Sequence, residues 1–359
     1  MKYVGEYRNK ELILAVSEEL KAISKKEITL MEVCGGHTMA IHRFGLHSLL
    51  PKNIQLLSGP GCPVCVSSQH FLDTAIAYSK LPGVIIATYG DLIRVPGSES
   101  SLEKEKANGF DIRIIYSALE TLEIAETNPD KKVVFLGIGF ETTAPATAAT
   151  LVEAKKRKLT NFFVLSGHKI MPPVMKALVE DGVRIDGFIA PGHVSAITGT
   201  SIYNNLAEVC KLGVVIAGFE PVDLMQAILM LVRQVESGFP KVEIQYQRVV
   251  HSEGNKIAQG LLSRVFEVKD DRWRGLGVIP GSGLKIRDDY STFDAEKHFT
   301  VTVPEPSEPK GCICGFILRG LKTPDDCSLF AMQCTPSDPV GACMVSAEGT
   351  CATYYKYRS

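Results

Sequence analysis

Eight short apolar runs, most of them closed by a glycine turn, constrain this chain more than any other feature. They lie at 28–33 (followed by CGGH), 54–57 (SGPGC), 84–88 (YGD), 112–116, 133–136 (GIGFET), 162–165 (SGHK), 187–190 (PGHV) and 214–217 (GFEP). An unbroken apolar run set between helix-length segments marks a strand buried on both faces of a parallel sheet. Two sets of four such runs predict two similar α/β domains, joined at 123–132, where ETNPDKK reads as a polar linker. A chain of 359 residues with 45% hydrophobic residues has the length and apolar content for two such cores.

The expected fold is α/β, with two parallel-sheet domains facing a cleft and a small cysteine-rich C-terminal unit. The expected divisions are 1–125, 126–285 and 286–359. Residues 9–24 carry apolar side chains at 12, 13, 16 and 20, an amphipathic helical spacing. Residues 223–235 and 256–266 also read as helices, with a strand at 242–250 between them. From about 286 the texture becomes Pro-rich (TVPEPSEPKG) and then cysteine-rich, with too few apolar residues to fold without help. Lys+Arg number 39 against 40 Asp+Glu and form no basic run, which argues against a nucleic-acid partner. The longest apolar runs are far too short to span a bilayer. MKYVGEYRNKELILAV has polar and acidic residues where a signal peptide would be apolar, so the expected location is the cytoplasm.

The ten cysteines carry the chemistry. Six fall between 312 and 351, and three more sit in two glycine-rich turns. In a reducing compartment, thiols grouped this way bind metal or do redox work more often than they form staples. Cys62 and Cys65, in GCPVC, read as a redox dithiol or as half of a metal site, against the plain alternative of two core cysteines. Cys34 and His37, in CGGH, read as a nucleophile and its base, as two metal ligands, or as a buried cysteine before a flexible turn. Adjacent strands would deliver Cys34, Cys62 and Cys65 to one edge, where three thiolates suit iron or zinc and leave a coordination position open. His42 and His47 read as surface or internally satisfied histidines rather than ligands. Cys210 reads as buried packing.

The C-terminal spacing, C-x-C-x12-C-x6-C-x8-C-x7-C, fits neither a zinc ribbon nor a ferredoxin. A four-thiolate site, iron–sulfur or structural zinc, remains its natural reading. In the second half, Glu141, His168, Lys169, His193 and Glu220 occupy strand-end turns, as Asp91 and Arg94 do in TYGDLIRVPG. They are candidate acid/base groups or hydrogen-bond partners for thiol chemistry, or simply turn residues that cap helices. GIGFET lacks the complete dinucleotide fingerprint, and no Walker lysine occurs.

Taken together, MEVCGGHTMAIHRFGL, LSGPGCPVCV, TYGDLIRVPG, GFETTAPATA, SGHKIMPP, PGHVSAITG, CICGFILRG and VSAEGTCATYYKY resemble, in order, the HypD family of hydrogenase maturation factors. The resemblance runs from about residue 30 to the end. It implies a scaffold on which the Fe(CN)2CO unit of [NiFe]-hydrogenases is assembled. The implied partners are a HypC-type small chaperone and a HypE-type cyanide donor. It also implies a third domain holding a [4Fe-4S] cluster, and a mononuclear Fe(II) that carries CN and CO. The family's motif cysteines fall on Cys34, Cys62 and Cys65, with His37 beside them. The cluster ligands fall on Cys314, Cys327, Cys334 and Cys351, leaving Cys312 and Cys343 surplus. The competing expectation is a free-standing thiol–disulfide oxidoreductase fed by an iron–sulfur cluster, which needs Cys62 and Cys65 but no mononuclear iron.

Overall fold

The structure, a computed structural model, describes residues 5–303 and 305–357. Strands form wherever the apolar runs lie: β1 Ile28–Glu32, β2 Ile54–Ser58, β3 Val84–Thr88, β4 Ile112–Ile114, β5 Lys132–Gly139, β6 Phe162–His168, β7 Gly187–Pro191, β8 Gly213–Ala217 and β9 Val242–Ile244. They build two parallel sheets, ordered β2-β1-β7-β8-β9 and β4-β3-β5-β6. Helices cover their faces, so the fold is α/β with two parallel sheets. An antiparallel hairpin, β10 Phe266–Trp273 and β11 Gly277–Ile286, packs beside β6, with Ser166 Oγ donating to the Leu284 carbonyl at 2.8 Å.

Sheet membership does not follow chain order, which corrects the division at 125/126. β5 lies beyond that point yet pairs with β3, in the register Val84↔Lys132 to Ala87↔Phe135. β7 and β8 return to the first sheet, with Leu30↔Gly187 and Glu32↔Ile189 in register. A strand buried on both faces records that it has neighbours without recording which ones. The proposed linker is also structured: Glu120–Thr127 is a helix whose Thr121, Leu122 and Ala125 are buried. The strand expected at 242–250 stops at Ile244, because the amides of Gln245 and Tyr246 both turn onto the Ile216 carbonyl, at 2.9 and 3.1 Å.

The three expected helices form as Lys10–Ile23, Pro221–Ser237 and Lys256–Val265. The first starts where Asn9 accepts the amides of Glu11 and Leu12, at 2.8 and 3.2 Å, leaving fewer unpaired donors in its first turn. The second ends at Gly238, whose φ of +73° suits a residue without a Cβ.

The cysteine-rich tail is not a satellite. Ile317, Leu318, Met344 and Val345 share one core with Val64, Cys65 and Val66. Arg94, from the turn after β3, reaches across to hold the tail. Its guanidinium donates to the carbonyls of Pro336 at 3.0 Å and Val345 at 2.9 Å. Hydrogen bonds from a charged donor contribute about 1.5–3 kcal/mol each when partly buried. We predict that Arg94→Ala lowers stability by about 2 kcal/mol and speeds amide exchange in the tail segment 336–345, with β3 and β5 unaffected. Unchanged exchange in that segment would show that the latch is incidental.

Candidate functional site

The first sheet changes direction between β1 and β7: the chain leaves β1 for β2 on one side, and β7 for β8 on the other. A crevice at the carboxyl ends of such a pair is where α/β folds bind ligands. Cys34 follows β1 and caps the helix Gly35–Arg43, while His193 sits in the helix Gly192–Thr198 that follows β7. The Cys34 thiol lies 3.9 Å from His193 Nε2. The turn after β2 is laid directly on this one, with the Gly35 amide donating to the Gly61 carbonyl at 3.1 Å. A Cβ on Gly61 would fall 2.2 Å from the Cys34 nitrogen, so only glycine fits there.

That contact brings Cys62 and Cys65 to the same edge, as turns after adjacent strands were expected to do. The two are joined as a disulfide, with Cα atoms 5.2 Å apart. Their sulfurs are therefore bonded to each other rather than arranged with Cys34 around one point. Among the described residues, no three His, Cys, Asp or Glu side chains are gathered as a single metal ion would require.

The site is dry. Burial pushes the Cys34 thiol well up, and the Glu348 carboxylate adds to this, against the opposing pull of the His37 and Gly36 amides. His37 is buried, with no partner on either ring nitrogen and the backbone of Ala217 and Gly218 alongside but out of hydrogen-bond geometry. Burial, with His193 adding, lowers His37 to about 3, and burial lowers His193 to about 4. Both rings are neutral near pH 7, and Phe219 is wedged between them with centroid separations of 4.8 and 5.0 Å. Of the two, it is His193 that reaches the thiol.

Two carboxylates escaped the sequence reading. Glu32 ends β1, 1% exposed, accepting the Cys34 amide at 3.0 Å and the Thr38 hydroxyl. Burial raises it to about 8, against the pull of those hydrogen bonds. Its only signal was an acidic residue inside an apolar run, one residue short of CGGH. Glu348, in VSAEGT, presses on Gly35, where a Cβ would meet the Glu348 Cβ and carbonyl oxygen at 2.5 Å.

Behind this edge, Cys312, Cys314, Cys327, Cys334 and Cys351 line one small cavity walled by Ile317, Leu329, Phe330 and Met344. All four expected cluster ligands are among them, and Cys312 is the fifth. Cys343 is fully buried beside Cys314 and Cys351. Gly341 leaves room for the thiols, since a Cβ there would lie 2.7 Å from Cys312 Sγ and 3.0 Å from Cys314 Sγ. Hydrogen bonding to Cys314 raises Cys312 and Cys343, burial raises Cys334, and hydrogen bonds from Cys314 and Cys343 lower Cys351 to about 6. A soft, enclosed set of five thiols, with no grouping among the described residues suited to a single ion, fits the thiolate ligation of a polynuclear iron–sulfur cluster. The Cys65 sulfur lies 3.9 Å from the Ala342 carbonyl, so the disulfide backs onto the segment that carries Cys343.

A family model, HypD, described as the hydrogenase formation hypA family, matches residues 9–358. The chain belongs to the HypD family. Hydrogenase maturation factor HypD2 of Bradyrhizobium diazoefficiens is 48% identical over 99% of this chain and 97% of its own length. HypD of Escherichia coli is 45% identical over 100% of this chain and 98% of its own. A putative hydrogenase expression/formation protein of Methanocaldococcus jannaschii is 47% identical, covering 98% of each.

In this HypD chain the other strand-end candidates have structural partners. Glu220 begins the helix Pro221–Ser237 and pairs with Arg8 at 2.5 Å. Lys169 pairs with Asp271 at 2.5 Å, and His168 Nε2 lies 2.9 Å from Thr147 Oγ1. Glu141 accepts the Met171 amide at 3.0 Å on one oxygen and has no partner on the other, and burial raises it to about 7. Asp91 is exposed, and Cys210 is half-buried against the main core. No helix among the described residues is long and apolar enough to cross a membrane.

Glu32 generates a pH prediction. Its pKa is raised on folding, from an ordinary 4.5 to about 8, so the folded state keeps a proton that the unfolded state releases. Its contribution to stability therefore falls as pH climbs through that window. His37 and His193 are lowered, so theirs is lost instead as pH falls below the usual histidine range. Subtracting a Glu32→Gln variant isolates the carboxyl. We predict that the variant gains on the wild type between about pH 5 and pH 8 in urea denaturation of the apoprotein. An offset constant with pH would contradict this.

Proposed function

We propose that this protein is a redox-active scaffold in hydrogenase maturation, holding an iron ion at Cys34 while the Fe(CN)2CO unit is assembled on it. The observation that carries the reading is the placing of the Cys34 thiol and a neutral His193 at the direction change of the first sheet. The Cys62–Cys65 pair is packed against them. Iron and its diatomic ligands are cargo. To bind the ion, Cys34 gives up a proton that burial makes it hold tightly, and His193 is the acceptor within reach. Cyanide and CO favour low-spin iron, and thiolate anchorage leaves positions free for them.

Cys62 and Cys65 act as a couple. The disulfide takes two electrons and two protons to become a dithiol, and only then are their sulfurs free to join Cys34 as iron ligands. The C-terminal cavity would hold a [4Fe-4S] cluster on Cys314, Cys327, Cys334 and Cys351, and such a cluster supplies electron exchange when bound. The partners in this reading are a HypC-type chaperone, which shares the iron through its own thiolate, and a HypE-type cyanide donor, both in the cytoplasm. The second reading, a free-standing thiol–disulfide oxidoreductase, is favoured only by the disulfide itself.

Infrared spectroscopy of the anaerobically purified complex separates the two, because metal-bound CN and CO absorb where protein does not. We predict that Cys34→Ala removes those bands and halts hydrogenase maturation, while the cluster and the Cys62–Cys65 couple stay measurable. Bands that persist with normal maturation would turn the CGGH turn into a structural element and promote the oxidoreductase. Separately, we expect Cys327→Ala or Cys334→Ala to abolish the iron–sulfur absorbance and loosen the tail. Cys312→Ala and Cys343→Ala should leave the cluster in place. A brown Cys327→Ala or Cys334→Ala protein would overturn the ligand set.

A further inference from the structure

The proposed assembly chemistry does not use His42 and His47. His42 is near the end of the helix Gly35–Arg43. The chain then reverses at Gly45, with φ +62°, into the short turn Leu46–Leu49. That reversal lays His47 over His42, with the two Nε2 atoms 3.4 Å apart. A hydrogen bond between ring nitrogens is normally nearer about 2.9 Å. Two nitrogens each bound at about 2.0–2.1 Å to one tetrahedral ion stand about 3.4 Å apart.

We propose that His42 and His47 form a separate site for a divalent transition-metal ion, held by the two Nε2 atoms at the mouth of a surface groove. The rings are inclined at 56° with centroids 4.7 Å apart, so a modest rotation of one ring aims both lone pairs at a common point. His47 is exposed and free to make it, whereas His42 is held against the Tyr354 ring at 4.3 Å. Burial lowers His42 to about 4, with His47 adding, and the protein packed beneath the exposed His47 desolvates it enough to lower it as well. Both therefore meet an ion as neutral donors, with no proton to displace.

Imidazole nitrogen selects zinc, nickel, copper or iron over calcium and magnesium. Two ligands leave the coordination sphere open toward the groove, about 480 Å³ in volume, which Glu27, Asn53, Gln55, Lys52 and Arg184 also line. The two cations there oppose a bare ion and favour one that brings an anionic co-ligand. The site is thus built for loose, exchangeable binding rather than storage. It does not rest on the proposed assembly role.

The test is calorimetric titration of Ni(II) into the anaerobic, cluster-replete protein. Four proteins are compared: wild type, Cys34→Ser, His42→Gln and His47→Gln. One equivalent should bind in the wild type and persist in Cys34→Ser. Since even loss of a ligand's outer hydrogen-bond partner costs 10–100-fold in metal affinity, each histidine variant should weaken it by at least about tenfold. His47 is exposed, so its variant folds normally, as an unchanged melting temperature would confirm. Absence of this equivalent from the wild type, or its survival in either histidine variant, overturns the proposal.

Discussion

The pairing of β1 with β7 is the contact on which the rest depends. It joins Leu30, Met31 and Glu32 to Gly187, Phe188 and Ile189, segments remote in the chain, and so places Cys34 and His193 over the same crevice. Slipping that register by one residue would turn every side chain of the strand to the opposite face. The second cysteine turn is then fixed by a much shorter-range fact, the absence of a side chain at Gly61. A non-local pairing sets the crevice, and a single glycine sets what reaches it.

Burial gives the crevice its character. A protonated Cys34, a Glu32 raised to about 8 and two imidazoles held neutral make a resting site with little charge, although its residues are almost all ionisable. Such a site is poorly satisfied as it stands. His37 has two unpartnered nitrogens, and the thiol retains a proton that an arriving cation would displace. The tail cavity obeys the same logic with a different donor set: Cys312 and Cys343 resist ionising beside Cys314, and a bound metal would relieve that by neutralising the thiolates.

Much of this was legible from residue types. Every apolar run became a strand, and Asn9, Asn255 and Gly238 bound helices where capping rules place them. That CGGH and GCPVC meet on one edge followed from their being turns after adjacent strands, whereas PGHV, expected in the second sheet, joins them only because β7 pairs with β1. Sheet membership was hidden, because an all-apolar strand such as VIIAT carries no label for its neighbour. The helix Glu120–Thr127 was hidden by a polar exposed face that resembled a linker. Glu32 passed unnoticed inside the run 28–33, although it is a buried acid. Glu348 could not be connected to Gly35 at all, since nothing local in VSAEGT points to a turn so far upstream.

The tail's position has a consequence for how the protein is made. Glu348 closes on Gly35, and Ala342 lies against Cys65, so the last-translated part of the crevice covers thiols translated among the first. Throughout synthesis, the turns at 34 and 62–65 emerge before β7, their sheet partner, and well before their cover. Those thiols therefore stay open to oxidants and stray metal ions until residues near 350 have left the ribosome. The Arg94 latch, made long before the carbonyls it grips, waits for the segment whose docking ends that exposure.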